Sequence, residues 1–568
     1  MPSTFRVGLS ALALIAGLAG PTRAAGPPNV ILIITDDQGW AEVGVHGNRD
    51  IETPNLDRLA AEGVRFARFY AEPVCTPTRA ELMTGRYYQR TGAVDTFMGR
   101  DTLDAREVTL AERLRRAGYA TGLIGKWHLG RYMRYHPTRR GFDDFFGFWQ
   151  YGFINHYFDS EELFRGREPV KTTGYVTDVL TDAAIDFVRA HRDGPFFLDL
   201  AYNAPHDPHL APDPLIEMYL GKGLPLRDAR IYGMITSLDR NIGRLLGEVD
   251  ALGLRGRTVV LFLSDNGGVS DRYKAGLRGK KGSVHEGGIR VPLFVRWPGH
   301  APAGSVVEAR AEVVDLFPTI CELAVAAPPD DRTIDGRSLV PLIEGRGGPA
   351  LREHLFRQWT RVRPDADRNW AASDGRYKLV DGELFDLEAD PGETTDLAAR
   401  HPEIVRRLRS AFERWFADVT AGRDYGRVPI EVGRDDEDPV ELDVTWAEAV
   451  GRKLRPTHRR YNRDAVLGWS EPGDSVRWGV DVVRAGRYEV VLDYGCRDAD
   501  AGSRFRVAAA GASLDGMVEG SGGRDVFRPR DVGAIALPAG RASFEIHPLR
   551  IVGEELMTLH KVWLRKLP

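Results

Sequence analysis

Four short polar clusters, Asp36-Asp37-Gln38-Gly39, Lys126-Trp127-His128, Asn203-Ala204-Pro205-His206 and Asp265-Asn266-Gly267, each follow an apolar run. Adjacent carboxylates such as Asp36 and Asp37 are hard oxygen donors suited to Ca²⁺ or Mg²⁺. A polar turn closing a strand uses the same residue types for backbone reasons. Asp265-Asn266-Gly267 also reads as an Asn-Gly hairpin turn. The run before it, however, is continuously apolar rather than alternating, which fits a buried parallel strand better. Lys126 and His128 straddle Trp127, and in extended chain residues two apart share a side. A cation and an imidazole could then face one ligand, although a lysine snorkelling beside a satisfied histidine fits as well. His206 sits between Pro205 and Pro208 in a restricted loop, which suits a catalytic histidine or a plain connection.

Cys75 stands apart. In Cys75-Thr76-Pro77-Thr78-Arg79, followed by Ala80-Glu81-Leu82-Met83-Thr84-Gly85, Thr76 reads as a cap, the next residues as a short helix and Gly85 as its terminator. Cys75 would then lie near a helix N-terminus, where the helix end and Arg79 stabilise an anion. A free cysteine in a turn and a thiolate nucleophile working with a nearby base are both open readings.

The elements that must position these residues follow from periodicity. Residues 30–35, 120–124, 196–201 and 258–263 are predominantly apolar and read as strands buried on both faces. Helices lie between them. Thr53-Pro54 opens one with a cap and a first-turn proline, residues 109–117 form another ending at Gly118, and 229–252 is a long amphipathic stretch. The alternation predicts an α/β domain with a mostly parallel sheet. Ligands bind at the carboxyl ends of strands in such sheets, so the four clusters converge on one edge. That agreement of position carries more weight than any one cluster.

From 346 to 425 the pattern changes to short strands, with Asp381-Gly382 joining 376–380 to 383–385 as a hairpin, and a helix over about 402–416 covering them. Residues 426–439, with the charged run Arg434-Asp435-Asp436-Glu437-Asp438-Pro439, read as a linker. Residues 440–568 are all-β: Tyr488, Val490, Leu492 and Tyr494 share a face, and Gly473, Gly486, Gly495 and Gly540 sit between runs as turn residues. A β-sandwich is the natural package.

Across its 568 residues the chain is 43% hydrophobic and carries 77 Lys and Arg against 81 acidic residues, without a basic run that would mark a nucleic-acid partner. Arg6, an apolar stretch over 7–20 and small residues up to Ala25 form a signal-peptide pattern over 1–25. The stretch is shorter than the roughly twenty residues a bilayer span needs, and no later window looks transmembrane. A periplasmic or secreted protein is the expectation. The 3 cysteines make no disulfide framework, and Cys321 and Cys496 read as buried small hydrophobes.

Taken together, these residues resemble the formylglycine-dependent, arylsulfatase-type (type I) sulfatases of the alkaline-phosphatase-like superfamily, over about residues 29–421. Cys75-Thr76-Pro77-Thr78-Arg79 matches the family's Cys-x-Pro-Ser/Thr-Arg core, and Leu82-Met83-Thr84-Gly85-Arg86 resembles its extension. Gly125 to Gly130, Ala204-Pro205-His206 and Asp265-Asn266-Gly267 match as well. Leu277-Arg278-Gly279-Lys280-Lys281-Gly282 resembles the Gly-Lys-Gly segment, with Lys280 in place of the usual small residue, so the sulfate-binding lysine falls on Lys281.

The resemblance implies a catalytic domain over 26–345, a small antiparallel subdomain over 346–425 and an appended sandwich. It implies that Asp36, Asp37, Asp265, Asn266 and modified Cys75 hold Ca²⁺, or Mg²⁺. It further implies that a formylglycine-generating enzyme converts Cys75, whose aldehyde hydrate attacks sulfur with help from Arg79. Lys126, Lys281 and His206 would bind sulfate, with His206 or Lys281 protonating the leaving oxygen, and His128 would take a proton to expel sulfate. The implied substrate is a sulfated carbohydrate or an aryl sulfate. Phosphonate monoester or phosphodiester hydrolysis, or glycan binding without catalysis, are the competing functions on the same fold. The last region resembles carbohydrate-binding-like sandwiches through Trp478, Tyr488, Tyr494 and Trp563, although such aromatics are more often core. The aromatic loop 142–159, with Asn155 and His156, is a candidate pocket wall.

Overall fold

The computed structural model describes residues 26–347, 351–457 and 464–568; the signal segment expected over 1–25 lies outside the described residues. Its centre is a sheet of ten strands among the described residues. Asn29–Thr35 lies in the middle, parallel to Thr258–Ser264 on one side and to Phe196–Ala201 on the other. Ala120–Lys126 and Asp144–Phe148 extend the parallel run; antiparallel pairs follow toward both edges, and on one of them Ser305–Val307 adds in parallel to Val64–Phe66. Continuous apolar sequence is required because both faces are covered. Val30, Leu32 and Ile34 pack with the helices Cys75–Thr84 and Leu316–Leu323, whereas Ile31 and Ile33 pack with Val176–Ala190 and Leu226–Ala251. Strand alternation sends successive side chains to opposite cores.

Register sets the site. Thr35 pairs with Ser264 and Ile34 with Ala201, which in turn pairs with Gly125, so four strands finish at one level. Gly125 has φ +111°, and a Cβ there would lie 1.9 Å from the carbonyl oxygen of Ala201. Glycine alone allows that approach just before Lys126.

Two caps differ from expectation. Thr53 occupies the cap position of Pro54–Ala61, but its hydroxyl accepts the Gly44 N–H at 2.8 Å instead of capping. Thr76 lies inside the helix Cys75–Thr84, capped by Val74, and its hydroxyl donates to the carbonyl of His128 at 3.3 Å. Cys75 is therefore the first helical residue. The helix Leu110–Arg116 has a complete capping box from Thr109 and Glu112.

Leu355–Gln358, Trp370–Ser373, Tyr377–Val380 and Glu383–Asp386 make an antiparallel sheet covered by the helix Pro402–Thr420, with Trp370, Leu379, Leu384, Leu408 and Phe412 in one cluster. Beyond it two antiparallel-rich sheets form a sandwich. The segment read as a linker, 426–439, contains the strand Ile430–Val432, which pairs in parallel with Ser475–Val482. Three of its carboxylates face the α/β domain: Arg134 pairs with Glu431, Arg139 with Asp436 at 2.8 Å, and the Met133 N–H donates to Glu437 at 3.0 Å, whereas Asp435 is exposed and pairs with Arg484. Composition resembled a linker because these ion pairs have partners about three hundred residues away. Gly495 lies inside the strand Gly486–Cys496, where a Cβ would meet the Arg524 carbonyl oxygen at 2.1 Å, so it serves close strand approach rather than a turn. Gly486 begins the same strand and Gly540 begins Gly540–Arg550. Trp478, Tyr488 and Tyr494 are sandwich core, at most 2% exposed, and Trp563 is half-buried under Lys561.

Candidate active site

Asp36 and Asp37 leave the strand Asn29–Thr35, and Asp265 and Asn266 leave Thr258–Ser264 beside them. The backbone joins the two turns, since the Asp265 N–H donates to Thr35 at 3.0 Å and the Asp37 N–H to Asp265 Oδ1 at 3.2 Å. Asp37 and His128 both have left-handed backbone, φ +72° and +57°, a conformation costly for residues with a Cβ and concentrated at functional sites.

All ten residues singled out above meet here. Lys126 Nζ donates to Asp36 Oδ2 at 2.6 Å, and Lys281 Nζ lies 2.6 Å from Asp37 Oδ1. Asn266 Nδ2 donates to Asp37 Oδ1 at 2.8 Å. Arg79 donates through Nε and Nη2 to Asp265 Oδ2 at 3.1 and 2.8 Å, so it orients a carboxylate rather than facing the pocket. His206 Nε2 is 3.9 Å from Asp37 Oδ2. Lys280 pairs at the surface with Asp271, which leaves Lys281 as the lysine that enters the site. His128 Nδ1 is 3.4 Å from Cys75 Sγ, and its Nε2 is 2.9 Å from the Thr96 carbonyl. A carbonyl only accepts, so Nε2 carries the hydrogen and Nδ1 presents a lone pair to Cys75. By the same reasoning His206 Nδ1, 2.7 Å from the Asp207 carbonyl, carries its hydrogen and leaves Nε2 bare.

Electrostatics agree with these assignments. Burial and the nearby Lys126 push the His128 ring well below its ordinary value, keeping it neutral. Burial, with Lys281, brings His206 down to about 4. Burial works against ionisation of Asp37, but Lys281, His206 and Asn266 outweigh it and hold the carboxyl below the usual range. Burial and Asp36 raise Asp265 to about 6. Burial raises the Cys75 thiol despite Lys126 and Lys281. A protonated thiol is a poor nucleophile, which weighs against the thiolate reading.

The donor set fits a hard cation. Asp36 Oδ1 and Asn266 Oδ1 are buried without a hydrogen-bond partner, an expensive arrangement that an ion relieves. Ligand atoms of Asp36, Cys75 and Asp265 lie within 4.8 Å of one another, as do those of Asp36, Asp37 and His206.

A pocket of about 490 Å³ opens onto Cys75, His128, His206 and Lys281. Its walls include Gln150, Tyr151, Gly152 and Phe153, with Phe153 stacked on His206 at 5.9 Å. Asn155 and His156, expected in this wall, instead bind Glu162 at 3.2 and 3.0 Å. The walls contributed by Asp101, Arg131, Arg361, Asp443, Thr445 and Trp446 lie in loops or in the single 3₁₀ turn Val444–Trp446, whose composition carried no signal.

A family model described as Sulfatase matches residues 28–326, and one described as N-sulphoglucosamine sulphohydrolase, C-terminal, matches 279–417. The chain belongs to the sulfatase family. This sulfatase is 39% identical over 516 residues to the N-acetylgalactosamine-6-sulfatase of Mus musculus, covering 82% of this chain and 93% of the relative. It is 34% identical to the steryl-sulfatase of Mus musculus, over 69% of this chain and 82% of the relative. Among solved structures, Ps i-CgsB in complex with k-i-k-neocarrahexaose is 31% identical with a TM-score of 0.65, covering 70% of this chain and 94% of that one. The fold is the alkaline-phosphatase-like fold, and the chain is a sulfuric ester hydrolase.

One buried acid of this sulfatase lies outside the reacting groups. Asp199, in the strand Phe196–Ala201, is raised from 3.8 to about 7 by burial, with Arg79 opposing. The folded chain holds a proton that the unfolded chain releases, so stability falls as pH rises from the unfolded value through the folded one and is then constant. Asp199→Asn is therefore expected to raise the melting temperature by several degrees at about pH 8 and by less at about pH 5. Thermal melts at both values check this; an equal rise at both would assign the gain to packing.

Proposed function

We propose that this sulfatase hydrolyses sulfate esters of a carbohydrate, with Cys75 converted to formylglycine and Asp36, Asp37, Asp265 and Asn266 holding Ca²⁺ or Mg²⁺. The observation that carries the reading is the convergence of these donors, two of them orphaned, on Cys75 beside a bare histidine nitrogen and two lysines. When present, the cation and the aldehyde hydrate supply an acidified hydroxyl for attack and a second hydroxyl for release.

The chain's own residues do the remainder. Lys126 and Lys281 stand on carboxylate oxygens of the cation site, and would be available to sulfate oxygens were a cation to engage those carboxylates. In the ion-free chain Asp37 outweighs burial and keeps Lys281 protonated, and Lys281 or His206 would protonate the leaving alcohol oxygen. Burial and Lys281 hold His206 neutral with Nε2 bare, so it would take up a proton before donating to a sulfate oxygen. His128 Nδ1 accepts the proton whose removal expels sulfate. Arg79 holds Asp265 in position.

A glycan substrate is supported by the similarity to the mouse N-acetylgalactosamine-6-sulfatase and to Ps i-CgsB, solved in complex with k-i-k-neocarrahexaose. A periplasmic or secreted location is supported by the signal pattern over 1–25. Among the described residues no helix is long and apolar enough to cross a membrane. Maturation then requires a formylglycine-generating enzyme.

Peptide mass analysis of Cys75, followed by turnover of sulfated sugars, an aryl sulfate and a matched phosphodiester, tests this function. Conversion of Cys75 with sulfate release from a sugar is the expected result. Dominant phosphodiester hydrolysis would overturn it.

A further inference from the structure

The pocket over Cys75 has a second wall that takes no part in the chemistry above, formed by Asp101, Arg131 and Tyr151 together with Asp443, Thr445 and Trp446 of the β region. Asp101 is 8% exposed, and its Oδ1 is buried with no hydrogen-bond partner. Trp446 is fixed in place: its ring lies so close to Gly99 that a Cβ there would come within 2.8 Å, and Tyr132 meets it edge-on at 4.8 Å. Among the described residues, the cations of this wall, Arg131 and Arg361, are already neutralised. Arg131 pairs with Glu441 at 2.8 Å and with Asp443, and its guanidinium lies 4.7 Å over the Tyr151 ring. Arg361, at the rim, pairs with Asp95 at 3.1 Å and lies over the Phe97 and Trp359 rings.

A buried carboxylate oxygen without a donor is costly, and a hydroxyl donor from a ligand relieves it. Among the described residues, a second anionic group in the same place would meet Asp101 and Asp443 with no unengaged cation. Aromatic side chains beside them suit the C–H face of a ring whose rim is polar.

We propose that this wall is a subsite for a neutral, hydroxyl-bearing sugar ring, with Asp101 accepting from a ring hydroxyl and Trp446 and Tyr151 bordering the ring. The enzyme therefore selects a sugar carrying one sulfate over one carrying a second anion. This rests on the carbohydrate-sulfatase reading and makes the β region part of the active site rather than a separate glycan-binding module.

The test uses the full-length chain with Cys75→Ala, which binds without turnover, in calorimetric titrations against monosulfated hexoses and hexosamines, N-acetylgalactosamine 6-sulfate included, and their disulfated counterparts. Monosulfated sugars are expected to bind about tenfold more tightly than disulfated ones. Adding Asp101→Asn should weaken the monosulfated sugars by about tenfold or more and narrow that gap. In the enzyme with Cys75 intact and converted, Asp101→Asn and Trp446→Phe should each lower the ratio of kcat/KM for sulfated sugar to kcat/KM for aryl sulfate, by about tenfold for Asp101→Asn. Tighter binding of disulfated sugars, or ratios and affinities within twofold of the parent, would overturn the subsite. Aryl sulfate turnover without binding of any sulfated sugar would instead overturn the carbohydrate reading, so the two failures are distinguishable.

Discussion

Cys75→Ala is expected to lower kcat by at least about 10⁴-fold while the protein stays folded. The Cys75 side chain is buried, and burial pushes the thiol up, which makes the unmodified sulfur a poor nucleophile. Its surroundings are arranged for oxygen chemistry: carboxylates of Asp36 and Asp265 within 4.8 Å of the sulfur and each other, and the bare Nδ1 of His128 at 3.4 Å. Deleting one sulfur atom from a helix start costs about 1 kcal/mol, so loss of turnover with an almost unchanged melting temperature separates chemistry from folding. Cys75→Ser sharpens the test. A serine offers one hydroxyl but lacks the second that His128 would deprotonate, so a single stoichiometric burst is expected, followed by arrest. An alanine variant retaining more than about one part in a hundred of the activity would place the nucleophile elsewhere.

Asp265→Asn is expected to cost on the order of 10³-fold in kcat and about 3–5 kcal/mol in stability of the ion-free protein. Asp265 acts twice: one oxygen accepts the Asp37 N–H at 3.2 Å, and the other receives both arms of Arg79. Both residues are buried, Arg79 at 4% exposure and Asp265 at 0%, so the substitution leaves a guanidinium in the interior without its counter-charge. Chelator treatment of the parent enzyme should abolish activity, with recovery on adding Ca²⁺ or Mg²⁺. The variant should recover only at far higher ion concentration. Full activity of the parent in excess chelator would remove the cation from the mechanism.

Much of this site was legible because its residues obey strand-end logic. Asp36, Lys126, His206 and Asp265 each follow a run whose continuous apolar character reports a strand buried on both faces, and the register of those strands does the converging. Lys281 was reachable only through family resemblance, since nothing in the residues around it reports a fold back to Asp37. The role of Arg79 as the anchor of Asp265 was hidden, because an arginine beside a helix start suggests anion binding until its partner is seen. The second pocket wall was not legible at all. Asp101, Arg361 and Trp446 come from irregular segments far apart in sequence, joined by single contacts such as Trp446 on Gly99 that leave no periodic trace. Charge patterning misled at 434–439 for a related reason, as Arg139, which balances Asp436, belongs to another part of the chain.

Every residue of the helix Cys75–Thr84 is buried, and the carboxylate that holds Arg79 is 186 positions further along the chain. At roughly 5–20 residues per second, the ribosome needs on the order of 10–40 s to deliver that partner. During this interval the cysteine motif has emerged, yet the sheet edge that will enclose it does not exist. A maturation enzyme therefore works against a clock set by translation, and slowing synthesis between the motif and Asp265 should raise the fraction of chains that are competent.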